Sequence, residues 1–277
     1  MKRSLSILWL AGAVLSLSSC AGEFNKVLKS TDYDYRYEYA KQCFAEGQFN
    51  RAETLLRDMI TMKKGTDDAQ ESLYMLAMSE FMNSDYESAS ETFKKYYTTY
   101  PRGIYAEMAM FYVGQALYES APEPRLDQTP TMGAISAFQQ FLDFYPNSEL
   151  RPVAQERLFD LQDKLVQKEL LSAKLYYNLG GYFGNVNASS ESNYSSSIIV
   201  AQNALKNYPF MRNREEFSLL IMKSKFELAE NSTEDKRLDR YRDAEDECYG
   251  FINEYPDSKN CVLAQKFIDK CKKITKE

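Results

Sequence analysis

The chain of 277 residues is 44% apolar and carries only 11 glycines and 8 prolines, enough to bury a continuous core and too few turn residues for a sandwich or barrel. Its 34 basic and 40 acidic residues give a formal charge of −6, which argues against bulk nucleic-acid binding because that mode needs clustered Lys and Arg on phosphates. There is no histidine, so the usual general base, the usual triad member and the commonest nitrogen ligand for a metal are missing.

The first element is a targeting segment. Lys2 and Arg3 precede a mostly apolar run from Ile7 to Leu17. The run falls short of the roughly 20 residues that a membrane span needs and reads as the apolar region of a signal peptide. Leu17-Ser18-Ser19-Cys20 then resembles the lipobox of bacterial lipoproteins. That resemblance implies cleavage before Cys20 and attachment of lipid, palmitate included, to this residue. Residues 1–19 are thus expected to be a cleaved signal, 20–31 a lipidated tether and 32–277 the folded domain. Ala21 stands where Asp commonly retains lipoproteins in the inner membrane of proteobacteria, and is compatible with the outer membrane. Without Lys2 and Arg3 the mature chain has 34 − 2 = 32 basic residues against 40 acidic, a charge of −8 that favours solubility.

Next come Tyr33, Tyr35, Tyr37 and Tyr39. Helical packing accounts for Tyr37; Tyr33, Tyr35 and Tyr39 are expected to stay partly exposed, either as peptide contacts or in local packing of a first hairpin. Tyr37, Ala40, Phe44 and Gly47 recur 37 residues on as Tyr74, Ala77, Phe81 and Ser84, and Phe111, Gly114 and Tyr118 repeat the first three places. A second pattern follows the latter two and recurs further on. A small residue, an apolar one four on, another seven on and Tyr-Pro at eleven and twelve give Ala89, Phe93, Tyr96, Tyr100-Pro101, and likewise Ala134, Phe138, Phe141, Tyr145-Pro146. Ala244, Cys248, Phe251, Tyr255-Pro256 is a further copy, and Ser197, Ala201, Ala204, Tyr208-Pro209 a weaker one.

Steps of four, three and four put these side chains on one helix face, and Tyr-Pro marks the helix exit because proline disfavours helical geometry before it. Asn147-Ser148 and Asp257-Ser258 offer caps for the helices that follow. The layout is that of tetratricopeptide repeats: an all-α superhelix of about five hairpins is predicted. The small anchors Ala52, Ala89, Ala134, Ser197 and Ala244 are spaced by 37, 45, 63 and 47, so insertions are expected at Ala121 to Thr131, Gly184 to Ser196 and Glu230 to Arg240, as loops between the helices of a hairpin. Leu150 to Asn178 reads as one long helix or two short ones, and Cys261 to Ile274 as a C-terminal capping helix.

No chemical motif emerges. Gly180-Gly181 with Gly184 lacks the Lys of a phosphate loop, and Asp243, Glu245, Asp246 and Glu247 read as a solvated helix face rather than a cation site. Cys43, Cys248, Cys261 and Cys271 match no metal spacing and are expected as buried free thiols, a pairing of Cys248 with one of the last two staying open. Neither a cofactor nor a metal is expected.

Several segments go further. Asp127-Gln128-Thr129-Pro130-Thr131, Ala137-Phe138-Gln139, Phe141-Leu142 and Tyr145-Pro146-Asn147-Ser148 resemble the middle of the BamD-like lipoproteins of the outer-membrane β-barrel assembly machinery. Asp163-Lys164-Leu165, Lys168-Glu169, Ala173 and Tyr176-Tyr177 continue the likeness in order. The resemblance implies a non-enzymatic scaffold, lipid-anchored on the periplasmic face of the outer membrane. It also implies that the scaffold holds unfolded outer-membrane proteins and is joined through its C-terminal hairpins to a BamA-like barrel protein. Arg212 and Arg214 lie near the family's partner-facing arginine, across a gap. Phe183 to Ser196 and the charged insertion of the fifth hairpin depart from the family pattern. Two other readings compete: a tetratricopeptide lipoprotein adaptor of another envelope complex, for nutrient uptake or a protease, and a carboxylate-dependent glycan hydrolase. Asp127 to Thr131 with Tyr176-Tyr177 argues against the first, and the lack of a placed acid pair against the second.

Overall fold

The computed structural model describes residues 22–66, 68–180 and 192–276, so Cys20 and the signal segment lie outside it. Helices and turns, and no strand, occur among the described residues. α1 covers residues 22–28, followed by α2 (Tyr33–Ala45), α3 (Phe49–Met62), α4 (Asp68–Met82), α5 (Tyr86–Thr99) and α6 (Ala106–Glu119). Then come α7 (Thr129–Phe144), α8 (Arg151–Leu179), α9 (Asn193–Asn207), α10 (Arg214–Glu230), α11 (Glu234–Glu254) and α12 (Cys261–Thr275). The pairs from α2–α3 to α10–α11 are the five predicted hairpins, and α12 is the terminal helix. The chain forms two compact units, Met1–Pro122 with Thr129–Leu158 and Glu123–Gln128 with Phe159–Glu277, divided inside α8.

In the first unit each helix from α2 to α7 packs on the next. Tyr37, Ala40, Leu55, Leu56 and Met59 close the first hairpin over Met75 and Leu76 of α4. Ala77, Ala89, Phe93 and Tyr96 meet Ala106, Ala109 and Val113 of α6, and Phe111 stands edge-on to Phe138 and Phe141 of α7 at 5.8 and 5.5 Å. In the second unit Val166, Leu170 and Ala173 of α8 join Ala201 and Ala204 of α9 and Phe217 and Ile221 of α10. Cys248 and Phe251 then meet Ala264 and Ile268 of α12. Each large side chain buried in this way contributes about 1.5–3 kcal/mol, so the repeat positions carry the fold.

Those positions are occupied in all five hairpins. Leu170, Ala173 and Tyr177 supply the first-helix pattern in the fourth hairpin, and Ile221, Ser224 and Leu228 in the fifth. Ala52, Leu56 and Met59, all fully buried, supply the second-helix pattern of the first. Small residues are needed because the helices approach closely there: the Ser224 hydroxyl donates to Ser197 Oγ at 3.1 Å, and that of Ser197 to the Ala173 carbonyl at 2.9 Å.

The turns within the first two hairpins share one conformation. Gly47 and Ser84 both adopt positive φ, 72° and 63°, and the next N–H reaches back to close the helix end, Gln48 to the Cys43 carbonyl and Asp85 to that of Glu80. The exits repeat as well. The Tyr100, Tyr145, Tyr208 and Tyr255 N–H groups donate to the carbonyls of Tyr96, Phe141, Ala204 and Phe251 at 2.8–2.9 Å. Lys63 makes the same bond to Met59 at 2.8 Å without a following proline.

Three expectations are altered and one open choice, over Leu150 to Asn178, is decided. The charged insertion is a loop only over residues 231–233; from Glu234 it adds two turns to the start of α11, since charged residues lengthen a helix as readily as a loop. Leu150 to Asn178 is one helix, α8. Ser148 and Ser258 accept from the N–H two residues on, Leu150 and Asn260, and so brace the connecting turn instead of capping the next helix. The stretch read as a tether is helical over residues 22–28, and Val27 is fully buried in the core of the first hairpin. Most of the Asn/Ser-rich insertion lies outside the described residues.

Candidate functional site

The exposed aromatic end of the first hairpin is built on α2. Asp32 caps it, accepting from the Tyr35 N–H at 3.0 Å. Tyr37 turns inward, donates its hydroxyl to Glu71 at 2.7 Å and lies between the ammonium groups of Lys63 and Lys41, 4.9 and 5.4 Å from its ring. Burial first, then the bond to Glu71, pushes the Tyr37 hydroxyl pKa well above the usual tyrosine range. Lys63 is itself held by Asp34 at 2.7 Å and Asp68 at 2.9 Å. Of the other tyrosines, Tyr33 and Tyr35 face out and Tyr39 packs partly on the core of the hairpin. Tyr35 is exposed and Tyr39 half-buried, and both line a depression with Glu38, Lys41 and Gln42. Tyr33 is exposed but lies apart from that depression, 5.8 Å from the Arg36 guanidinium, whose Nη2 is bound to Asp58 at 2.6 Å.

A larger feature of the first unit escaped the sequence. A cleft of about 670 Å³ runs along α6, the end of α7 and the turn after it, lined by Ile104, Met108, Phe144, Pro146 and Leu150 with Glu107 and Glu149 at its edge. Ile104 is 82% exposed and Phe144 66%. Phe144 also borders a depression on α7 with Met132, Ile135 and Gln139. Large apolar side chains left this bare are a mark of an interaction surface. The signal available was Ile104, an apolar residue in the turn just after Tyr100-Pro101.

Arg212 and Arg214 belong to the second unit, in and just after the turn that follows Tyr208-Pro209. Arg214 is committed within the chain: it donates to the Pro209 carbonyl at 3.2 Å and pairs with Glu254 at 3.5 Å. Arg212 is exposed, two residues from Phe210, whose ring is 94% exposed. Phe210 was likewise not singled out in the sequence.

Several other ionisable groups serve the architecture. Lys225 bridges Asp243 and Glu247 at 2.8 and 2.7 Å, and Glu245 is buried, so the acidic run of α11 is partly an inter-helix clamp instead of a solvated face. Glu80, 1% exposed, faces Arg57 at 3.0 Å. Cys43, Cys248 and Cys271 are buried free thiols; burial pushes Cys248 up to about 12 and Cys271 to about 11. Cys261 is half-buried and donates to the Tyr255 carbonyl. No group of potential metal ligands occurs among the described residues, and no helix among them is long and apolar enough to cross a membrane.

Comparison with known proteins gives these surfaces a setting. A family model described as YfiO, outer membrane lipoprotein, matches residues 30–191, more than half of the chain and the region of the Tyr35 depression and the Ile104 cleft. The outer membrane protein assembly factor BamD of Caulobacter vibrioides is 22% identical over 168 residues, 60% of this chain. The chain spans about half the length of that relative, 55%. Arg212 and Arg214 fall beyond the matched residues. A tetratricopeptide-like helical fold together with a match of this extent places the chain in the YfiO family of outer membrane lipoproteins.

Proposed function

We propose that the chain is a non-enzymatic scaffold of the machinery that assembles β-barrel proteins in the outer membrane. In this reading it is tethered by lipid on Cys20 at the periplasmic face, and it binds unfolded outer-membrane proteins and a BamA-type barrel protein. One coincidence carries the reading: the stretch that matches the family, residues 30–191, is also the stretch in which Tyr35, Ile104 and Phe144 are presented to solvent in a depression and a cleft, with half-buried Tyr39 lining the depression beside Tyr35. An extended segment with alternating apolar side chains can seat them in such recesses, and aromatic or aliphatic anchors dominate the energy of such contacts. Of the two arginines, Arg212 is the better candidate for an acidic patch on the barrel partner, because Arg214 is already paired. The scaffold role calls for neither a catalytic group nor a cofactor.

The test is affinity purification from detergent-solubilised membranes. Recovery of a BamA-like barrel protein supports the assignment; its absence, with another envelope complex recovered in its place, overturns it. Incorporation of labelled palmitate, lost in Cys20→Ser, tests the anchor separately.

A further inference from the structure

The region expected to be a plain tether contains a docked helix. Cys20 precedes Gly22, the start of α1, by two residues, and two peptide links span at most about 7.6 Å in any conformation. α1 then rises about 9 Å over its seven residues. Its far end is fastened: Val27 is 0% exposed in the cluster made by Tyr37, Ala40, Leu55 and Leu56, and Phe24 and Leu28 pack on the same cluster. The Arg51 guanidinium lies 5.5 Å from the Phe24 ring. The connection to α2 is closed too, with the Ser30 N–H on the Val27 carbonyl at 3.0 Å and the Asp32 N–H on Ser30 Oγ at 3.1 Å.

A free chain from Cys20 to Tyr33 could extend about 45 Å. With α1 docked, the buried end of that helix stays within about 17 Å of Cys20, the sum of the two lengths above. The side chains this end leaves in solvent are of the kind that suits a lipid surface. Lys26 and Lys29 are exposed and pair with no carboxylate among the described residues, and Tyr33 and Tyr35 are 40% and 48% exposed. Lysines favour lipid phosphates, and tyrosines are enriched at the level of the headgroups.

We infer that α1 couples the lipidated residue rigidly to the first hairpin and holds Lys26, Lys29 and Tyr33 at the headgroup layer, so that the bilayer surface is itself a contact of this hairpin. This rests on the lipid-anchor reading of Cys20 given above. The first hairpin then does not roam on a leash; its exposed tyrosines work beside the membrane.

The sequence provides a clean reporter. Its single tryptophan, Trp9, lies in the signal segment, so the processed chain has none. Tyr33→Trp in the full lipidated protein, reconstituted in phosphatidylethanolamine–phosphatidylglycerol vesicles with nitroxide on the headgroup, is expected to be quenched. Inserting a flexible Gly-Ser segment of about 20 residues between Ala21 and Gly22, with a mean span of about 25 Å, should abolish the quenching while vesicle binding persists. Val27→Asp, which undocks α1, should do the same if circular dichroism shows the helical fold retained. Equal quenching with the inserted segment overturns the inference. So does a palmitate-labelled, vesicle-bound Tyr33→Trp protein with unquenched emission. A protein that takes up no palmitate and fails to float with vesicles overturns the anchor reading instead, and the inference falls with it.

Discussion

Gly114→Ala should destabilise the first unit even though alanine is the better helix former. A Cβ placed on Gly114 meets Cδ1, Cε1 and Cγ of Phe138 at 2.8, 2.9 and 3.0 Å. The ring has nowhere to go, being 0% exposed and edge-on to Phe111 at 5.8 Å. Overpacking of this kind costs about 1–3 kcal/mol, and the intrinsic preference of a helix for alanine over glycine offsets about 1 kcal/mol of it. The expected net loss is about 1 kcal/mol, which lowers Tm by roughly 2–4 °C for a chain of this size. Thermal unfolding of the Cys20→Ser protein, followed by far-ultraviolet circular dichroism, reads the shift. Phe138→Leu supplies the second arm: a smaller side chain leaves room for the new methyl. The double variant should therefore lose less than the sum of the single losses, by about 1 kcal/mol. A Gly114→Ala protein that melts above its parent, or a strictly additive double variant, would refute the close approach of α6 and α7.

Glu80 offers a test with pH. Burial raises its pKa, only partly countered by the hydrogen bond to Thr92 and by Arg57. The folded state therefore favours the protonated carboxyl. Stability from this group is present below the unfolded pKa of about 4.3 and is lost as pH rises through the folded value. Glu80→Gln should gain stability relative to its parent between pH 4 and pH 8 in urea titrations; a difference that shrinks over that range contradicts the reasoning. In Cys20→Ser protein at pH 8, a thiol reagent should modify Cys261 first and Cys43, Cys248 and Cys271 only on unfolding, because burial holds the latter thiols protonated. Rapid modification of all four would show the core to be open. Arg212→Glu should reduce recovery of the barrel partner from membranes more than Lys206→Glu, a control charge on α9; equal recovery would remove Arg212 from the interface.

Much of the fold was legible because its grammar is written in side-chain size. Ala89, Phe93 and Tyr96, or Ala134, Phe138 and Phe141, declare a buried helix face by spacing alone, and all six are fully buried. The first hairpin was harder to read because Lys63 replaces Tyr at the exit; the turn there passes through Gly65 at a φ of 86°, and the two carboxylates that hold Lys63 have no sequence signature. Glu234 to Arg240 misled for the converse reason, since charge says nothing about helix against loop. α1 is short and mixed in character, and only Val27 with its neighbours reveals that it docks. At the candidate surfaces, the sequence could nominate Tyr35 and Tyr39 by type but could not separate Arg212 from Arg214, because the partner of Arg214 is 40 residues away at Glu254. Ile104 and Phe210, in turns, and Phe144, at the end of α7, look like core residues until their exposure is seen.

The recurring exit turn has a consequence for how such a chain diversifies. The bond that closes each helix end runs between main-chain atoms, and Ser148, Ser258, Arg151 and Arg214 brace the turns that follow, so the other residues after each Tyr-Pro are displayed on a backbone already held by its neighbours. A ligand that grips Ile104 or Phe210 pays mainly for ordering a side chain, not for freezing a loop. Single codon changes at these tips can therefore retune what is bound while every helix stays where it was, a keyboard in which the keys change and the frame does not.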